Sequence, residues 1–234
     1  DEEYDRNGCY SGSAVDNHGA LTLCYTGNVK FADGSRTAWQ CLATENADGT
    51  FSKLGPVLPL PEGYTGHVRD PKVWRHEGRW YMVLGAQNRQ ERGKVLLFSS
   101  VDLHQWINEG EIAGAGINGL HDAGYMWECP DLFPLADQHI LICCPQGIAR
   151  EKERYLNSYP AVWMAGSFDY ASAAFTHGAL HELDAGFEFY APQTMQTSDG
   201  RRLLVGWMGV PDGEEMRQPT RAHGWIHQMT CLRE

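Results

Sequence analysis

Glu128 lies in the stretch Trp127-Glu128-Cys129-Pro130-Asp131-Leu132-Phe133, an acid set between a tryptophan and a Cys-Pro step and followed by an apolar run. Apolar neighbours disfavour the charged form of a carboxyl and raise its pKa, as a general acid working near neutral pH requires. A related stretch, Arg69-Asp70-Pro71-Lys72-Val73-Trp74, offers a second carboxyl beside a proline. Two such carboxyls, ringed by Trp127, Tyr190 and Trp207, suit carbohydrate chemistry. Sugars present apolar faces to aromatic rings and hydroxyls to Asp, Glu and Arg. Glycoside hydrolysis commonly uses one carboxyl as acid and another as nucleophile or base.

The elements that would position these groups repeat. Four units each read as a strand, a turn and a second strand, beginning near Ser11, Arg69, Glu128 and Tyr190. With Ser13, Pro71, Pro130 and Pro192 taken as equivalent, the steps are 58, 59 and 62 residues. A third apolar run follows in each unit: Trp39–Ala43, Val95–Phe98, Ala161–Met164 and Trp225–Met229. No helical period of useful length appears among the frequent prolines and glycines. Units of about 60 residues in this order are what β-propeller blades look like, and a two-sheet sandwich explains the period less well. Inner strands of adjacent blades face one axial funnel, so Asp70 and Glu128 are expected to converge there.

At 234 residues the chain is long enough to bury a core, and its net charge of −11 with no offsetting basic block argues against a nucleic-acid or anionic-membrane partner. Seven cysteines without a Cys-x-x-Cys pair are expected to be reduced, mostly buried thiols of a cytoplasmic protein. Residues 1–234 hold no long apolar run and no Asn-x-Ser/Thr site, and no signal peptide is expected. The first residues, Asp1-Glu2-Glu3, lack an initiator methionine, and an upstream stretch is expected.

Val68-Arg69-Asp70-Pro71 and Trp127-Glu128-Cys129-Pro130-Asp131 resemble the Arg-Asp-Pro and Glu-Cys motifs of glycoside hydrolase family 32. Tyr10-Ser11-Gly12-Ser13 is similar to its Phe-Ser-Gly-Ser motif, with tyrosine for phenylalanine. Gly186 through Gln193 and Gly206-Trp207-Met208-Gly209 resemble its later-blade signatures, with Glu188 where Asp is more usual. The likeness covers nearly the whole chain and is greatest to the bacterial members that act on phosphorylated sucrose. It implies an all-β fold, a five-bladed β-propeller of which about four blades are present. Residues 1–234 would then be a catalytic propeller domain incomplete at its N-terminus, with the family's C-terminal β-sandwich absent. The family's nucleophile is the Asp of an Asn-Asp-Pro-Asn-Gly motif that nothing here matches, so this stretch by itself is expected to be inactive.

Carried over by resemblance, Glu128 is the general acid/base and Asp70 the transition-state stabiliser that binds fructose hydroxyls. Arg69 would hold both carboxylates in register. Tyr10, Ser11, Tyr190 and Trp207 would contact substrate. The implied reaction is hydrolysis of the β-fructofuranosidic bond of sucrose 6-phosphate with retention, and the implied partner is a small sugar or sugar phosphate. No metal or other cofactor is expected, although His177 and His181, and His223 and His227, stand at spacings that could supply two zinc ligands. Arg36, Arg89, Arg92 and Arg150 are candidates for holding the phosphate. An invertase or fructan hydrolase acting on unphosphorylated sugar, or a non-catalytic sugar-binding propeller, remains open.

Overall fold

Val95-Leu96-Leu97-Phe98 is apolar without alternation, as in a strand covered on both faces. In the structure every residue of its strand, Gly93–Ser100, is buried. Leu96 and Phe98 face one neighbouring sheet and Val95 and Leu97 the other, because side chains alternate along a strand. This burial on both faces is the mark of a sheet packed between two others.

The computed structural model describes residues 2–121, 123–186, 189–209 and 214–234, with Glu214 and Glu215 by backbone alone. Four antiparallel sheets follow in chain order among these residues. The first contains β1 (Cys9–Asn17), β2 (Ala20–Lys30), β3 (Arg36–Glu45) and β4 (Phe51–Leu58). The second contains β5 (Tyr64–His76), β6 (Arg79–Asn88), β7 (Gly93–Ser100) and β8 (Trp106–Gly114). The third contains β9 (Met126–Leu135), β10 (Gln138–Gln146), β11 (Val162–Asp169) and β12 (Ala174–His177), with the short β13 (His181–Glu182) also pairing with β11. The fourth contains β14 (Tyr190–Gln196), β15 (Arg202–Met208) and β16 (Gln228–Met229). Two short 3-10 helices, Glu214–Arg217 and Pro219–His223, precede β16.

Each sheet is a meander packed on the next, β5 on β1, β9 on β5 and β6, and β14 on β9 and β10. This is the four-blade β-propeller arrangement, not a two-sheet sandwich. The core is accordingly divided among the blade interfaces. Cys24 and Leu42 meet Met82, Leu84 and Phe98 between the first and second blades. Tyr81, Val83 and Leu97 meet Trp127, Leu132 and Leu141 between the second and third. Cys129 and Cys144 meet Phe189 and Tyr190 between the third and fourth.

Trp127 is the largest fully buried side chain. It points away from the funnel into the second interface, with its indole N–H on the carbonyl of Ala123. It therefore does not ring the carboxylates as the sequence suggested, since neighbours in a strand face opposite sides. Glycines let β9 approach the second blade: a Cβ on Gly85 would lie 2.1 Å from the Trp127 carbonyl oxygen, and one on Gly93 2.3 Å from Trp127 Cδ1. Trp127→Ala is expected to cost about 3–5 kcal/mol of stability, the usual loss for a buried large aromatic. Urea unfolding would show it as a lower midpoint at unchanged slope, and a loss below about 1 kcal/mol would contradict this account of the interface.

Five of the seven cysteines are buried and all seven are free thiols. Among the described residues no helix is long and apolar enough to cross a membrane. The fourth blade departs from expectation: of Trp225–Met229 only Gln228 and Met229 pair with β15, and Trp225 is exposed.

Candidate active site

Each inner strand carries a bulge at the same point of its ladder. Pairing stops at Tyr10 opposite Thr26, Arg69 opposite Gly85, Glu128 opposite Cys144 and Tyr190 opposite Trp207. It is regular again by Ser13, Lys72, Asp131 and Gln193. Between these points lie Asp70-Pro71, Cys129-Pro130 and Ala191-Pro192, and in the first blade Ser11 alone, since Gly12 is already opposite Tyr25. Proline is tolerated there because a bulge needs no ladder N–H. The true equivalent of the three prolines is thus Gly12, not Ser13, a one-residue correction to the spacing read from sequence.

The bulges aim the site. Asp70, Cys129 and Ala191 take φ of 65°, 50° and 47°, the left-handed region that non-glycine residues rarely occupy. Such a turn re-aims the side chains on either side of it. Arg69, Glu128 and Tyr190 are thereby brought round one pocket of about 390 Å³, which Tyr10, their equivalent in the first blade, also lines. Ser11, Asp70, Cys129 and Trp207 line it too. The seven residues given catalytic or sugar-contact roles by resemblance, Tyr10, Ser11, Arg69, Asp70, Glu128, Tyr190 and Trp207, all border this pocket, whereas Trp127 does not. Glu188 lies outside the described residues.

Glu128 is held by donors on both oxygens. Arg69 Nε and Nη2 donate to Oε1 at 2.8 and 2.6 Å, Gln146 Nε2 donates to Oε2 at 2.9 Å, and the Tyr190 hydroxyl also donates to Oε2. Asp70 is bound differently: Oδ2 accepts from the backbone N–H of Cys129 at 2.9 Å and faces the Cys129 thiol at 3.6 Å. The two carboxyls are therefore linked through the Glu128–Cys129 peptide. Arg69 grips Glu128 by hydrogen bonds but reaches Asp70 by charge alone, narrower than the shared clamp expected.

The Asp70 carboxyl is raised. Burial pushes it up to about 6, the Arg69 guanidinium pulls it down, the Glu128 charge pushes it up, and the Cys129 hydrogen bonds oppose the rise. Burial, reinforced by the nearby Cys144 thiol and the Glu128 charge, keeps the Tyr190 hydroxyl protonated far above its ordinary range.

A second polar layer ties the blades together beneath the pocket. Lys72 Nζ lies 3.0 Å from Asp131 Oδ2, which also accepts from Thr194 N and Oγ1 at 2.8 Å each. Sequence reasoning missed Gln146 and His67 as site residues. Period-2 alternation would have placed His67 on the face of Arg69, and Gln146 reaches Glu128 from a diagonal cross-strand position. The histidines paired by spacing have other surroundings: His177 Nδ1 lies 2.8 Å from the Gly178 carbonyl, His181 stacks on Trp163 and His227 meets Trp207 edge-on. No cluster of three metal-ligating side chains occurs among the described residues.

Carboxyls from adjacent propeller blades, facing one pocket with guanidinium and hydroxyl donors around them, define a site of the glycoside-hydrolysing kind. Residues 1–234 match the family model for the glycosyl hydrolases family 32 N-terminal domain, and the chain belongs to that family. It is 86% identical over its whole length to a sucrose-6-phosphate hydrolase of Salmonella typhimurium, covering 50% of that protein. It is 52% identical over 231 residues to one of Bacillus subtilis, covering 99% of this chain and 48% of the relative. Among solved structures, the sucrose-6-phosphate hydrolase of Lactobacillus gasseri superposes with a TM-score of 0.89 at 32% identity, over 99% of this chain and 47% of that one. The chain spans about half the length of the curated relatives it matches.

Proposed function

We propose that the full-length protein hydrolyses the β-fructofuranosidic bond of sucrose 6-phosphate to glucose 6-phosphate and fructose. The observation that carries this is Glu128, clamped by Arg69 and Tyr190 in a pocket with Asp70 one peptide unit away. The relatives named for this activity support the substrate. Residues 1–234 act as a propeller catalytic domain, and the nucleophile comes from sequence outside them, because no Asn-Asp-Pro-Asn-Gly motif is present.

Arg69 occupies Oε1 of Glu128, so the transferable proton is carried on Oε2. The Tyr190 hydroxyl on Oε2 donates to the carboxylate and can rotate to accept from the acid. In the first step this proton passes to the glycosidic oxygen while the nucleophilic carboxylate bonds to the fructosyl anomeric carbon and glucose 6-phosphate departs. In the second, Glu128 takes a proton from water, whose oxygen displaces the enzyme carboxylate and releases fructose with retained configuration. Asp70 accepts from fructose hydroxyls, bonds that strengthen as positive charge develops on the ring. The free cysteines support a cytoplasmic setting, and the net charge of −11 supports a small-molecule partner rather than nucleic acid.

The test compares glucose 6-phosphate release from sucrose 6-phosphate with glucose release from sucrose by the full-length protein. A clear preference for the phosphosugar is expected. Equal rates would make it an invertase, and sugar binding without turnover would make it a sugar-binding propeller.

A further inference from the structure

Beyond Glu128, Arg69 leads into a basic cluster that the two-carboxylate chemistry does not use. Arg69 Nη1 lies 3.1 Å from His67 Nδ1, and Arg36 Nη1 lies 3.3 Å from the same nitrogen. A guanidinium can only donate, so Nδ1 is the acceptor in both contacts and the imidazole proton sits on Nε2. That N–H is left as a donor. Burial, with Arg69 and Arg36 adding to it, pushes His67 down to about 4, so the ring between the two cations is neutral at neutral pH.

Two guanidiniums converging on one neutral acceptor repel each other in a half-buried place, and Arg36 has no carboxylate partner among the described residues. The fold nevertheless holds it there. Its stem crosses Gly66 so closely that a Cβ at Gly66 would lie 2.3 Å from Arg36 Cγ and 2.4 Å from the Arg36 carbonyl oxygen. Locally unfavourable arrangements that a fold retains are expected at functional sites, and an anion would offset this one. The other arginines considered from sequence lie elsewhere: Arg89 and Arg92 are exposed in the β6–β7 turn and Arg150 is exposed after β10.

We infer that Arg36 and His67 form the subsite for the phosphate group of a phosphosugar, Arg36 supplying charge and N–H donors and His67 its Nε2–H. The inference rests on the phosphosugar reading above. It also fits that reaction's geometry. Glu128 protonates the bridging oxygen, the fructosyl ring lies over Asp70, and the departing sugar lies beyond Glu128. Arg69 spans from Glu128 to His67, toward the half-buried start of β5. The same guanidinium would then sense both the acid and the phosphate.

The test uses the full-length protein with Arg36→Gln and Arg36→Lys. The ratio of kcat/KM on sucrose 6-phosphate to that on sucrose is expected to fall about tenfold or more in the Gln variant, through KM, as for loss of a charge-assisted hydrogen bond. Lysine is expected to restore much of it, and product inhibition by glucose 6-phosphate should weaken in the Gln variant relative to inhibition by glucose. An unchanged ratio, or an equal loss on both sugars, would overturn the subsite while leaving the phosphosugar reading intact. Absence of any preference in the unsubstituted protein would overturn the phosphosugar reading itself, and the subsite with it.

Discussion

Glu128→Gln is expected to lower kcat on sucrose 6-phosphate by about 10³-fold with little change in KM, the scale for removing a general acid/base. Glutamine preserves shape and one acceptor: its Oε1 can still receive Arg69 Nε and Nη2, now at 2.8 and 2.6 Å from the carboxylate. What it lacks is a transferable proton. The amide also sets an N–H donor against Gln146 Nε2 and leaves the Arg69 guanidinium, a side chain only 11% exposed, without its hydrogen-bonded counter-charge. A stability loss of about 1–3 kcal/mol should accompany the kinetic one, so rates must be compared where urea titration shows the variant folded. A fructosyl fluoride separates chemistry from structure, because fluoride needs little protonation to leave. Its first-turnover release of fluoride should be far less impaired than cleavage of the phosphosugar. Equal impairment would assign Glu128 a structural role and remove the acid from the mechanism.

The contrast between Glu128 and Trp127 shows what the sequence makes legible. Period-2 alternation marks the strands in the sequence, whereas the covering of β7 on both faces is seen only in the folded blades. The same alternation separates Trp127 from Glu128, one into the interface and one into the funnel. Chain neighbours in a strand are not neighbours in a site. Prolines in β5, β9 and β14 align the repeats in the sequence, but only the structure shows bulges there, and the first blade has Gly12 at that point, one residue from the Ser13 used for the alignment. Burial was the quantity sequence could not assign. It falls most heavily on Asp70, while Glu128 is met by four polar contacts from Arg69, Gln146 and Tyr190. Those partners come from β5, β10 and β14, and only the closing of three blades brings them together. Arg36 reaches His67 from another blade in the same way. At the other end of the chain, Trp225 and Ile226 are apolar in type yet exposed, and no strand forms over them.

Asp70→Asn is expected to have two effects of opposite sign. Activity should fall by about 10²–10³-fold, since an uncharged amide cannot stabilise the positive ring as the carboxylate does. Stability should rise. The folded-state pKa of Asp70 is about 6 against an ordinary 3.8, so between these values the native chain keeps a proton that the unfolded chain has lost. Folding is therefore favoured at the acid end of this window and weakened as pH rises through it, then constant above. Asparagine carries no charge to bury, its side-chain oxygen can still accept from Cys129 N–H, and it tolerates the left-handed φ of 65° at this position. The gain should be on the order of 3 kcal/mol at about pH 8 and nearly vanish near pH 4, measured as paired urea midpoints at the two values. A variant less stable than the parent at about pH 8, or a difference that does not change with pH, would refute the burial account. If both effects appear, the charge at Asp70 is one the fold holds against its own stability, and the sugar hydroxyls are what that charge is kept for.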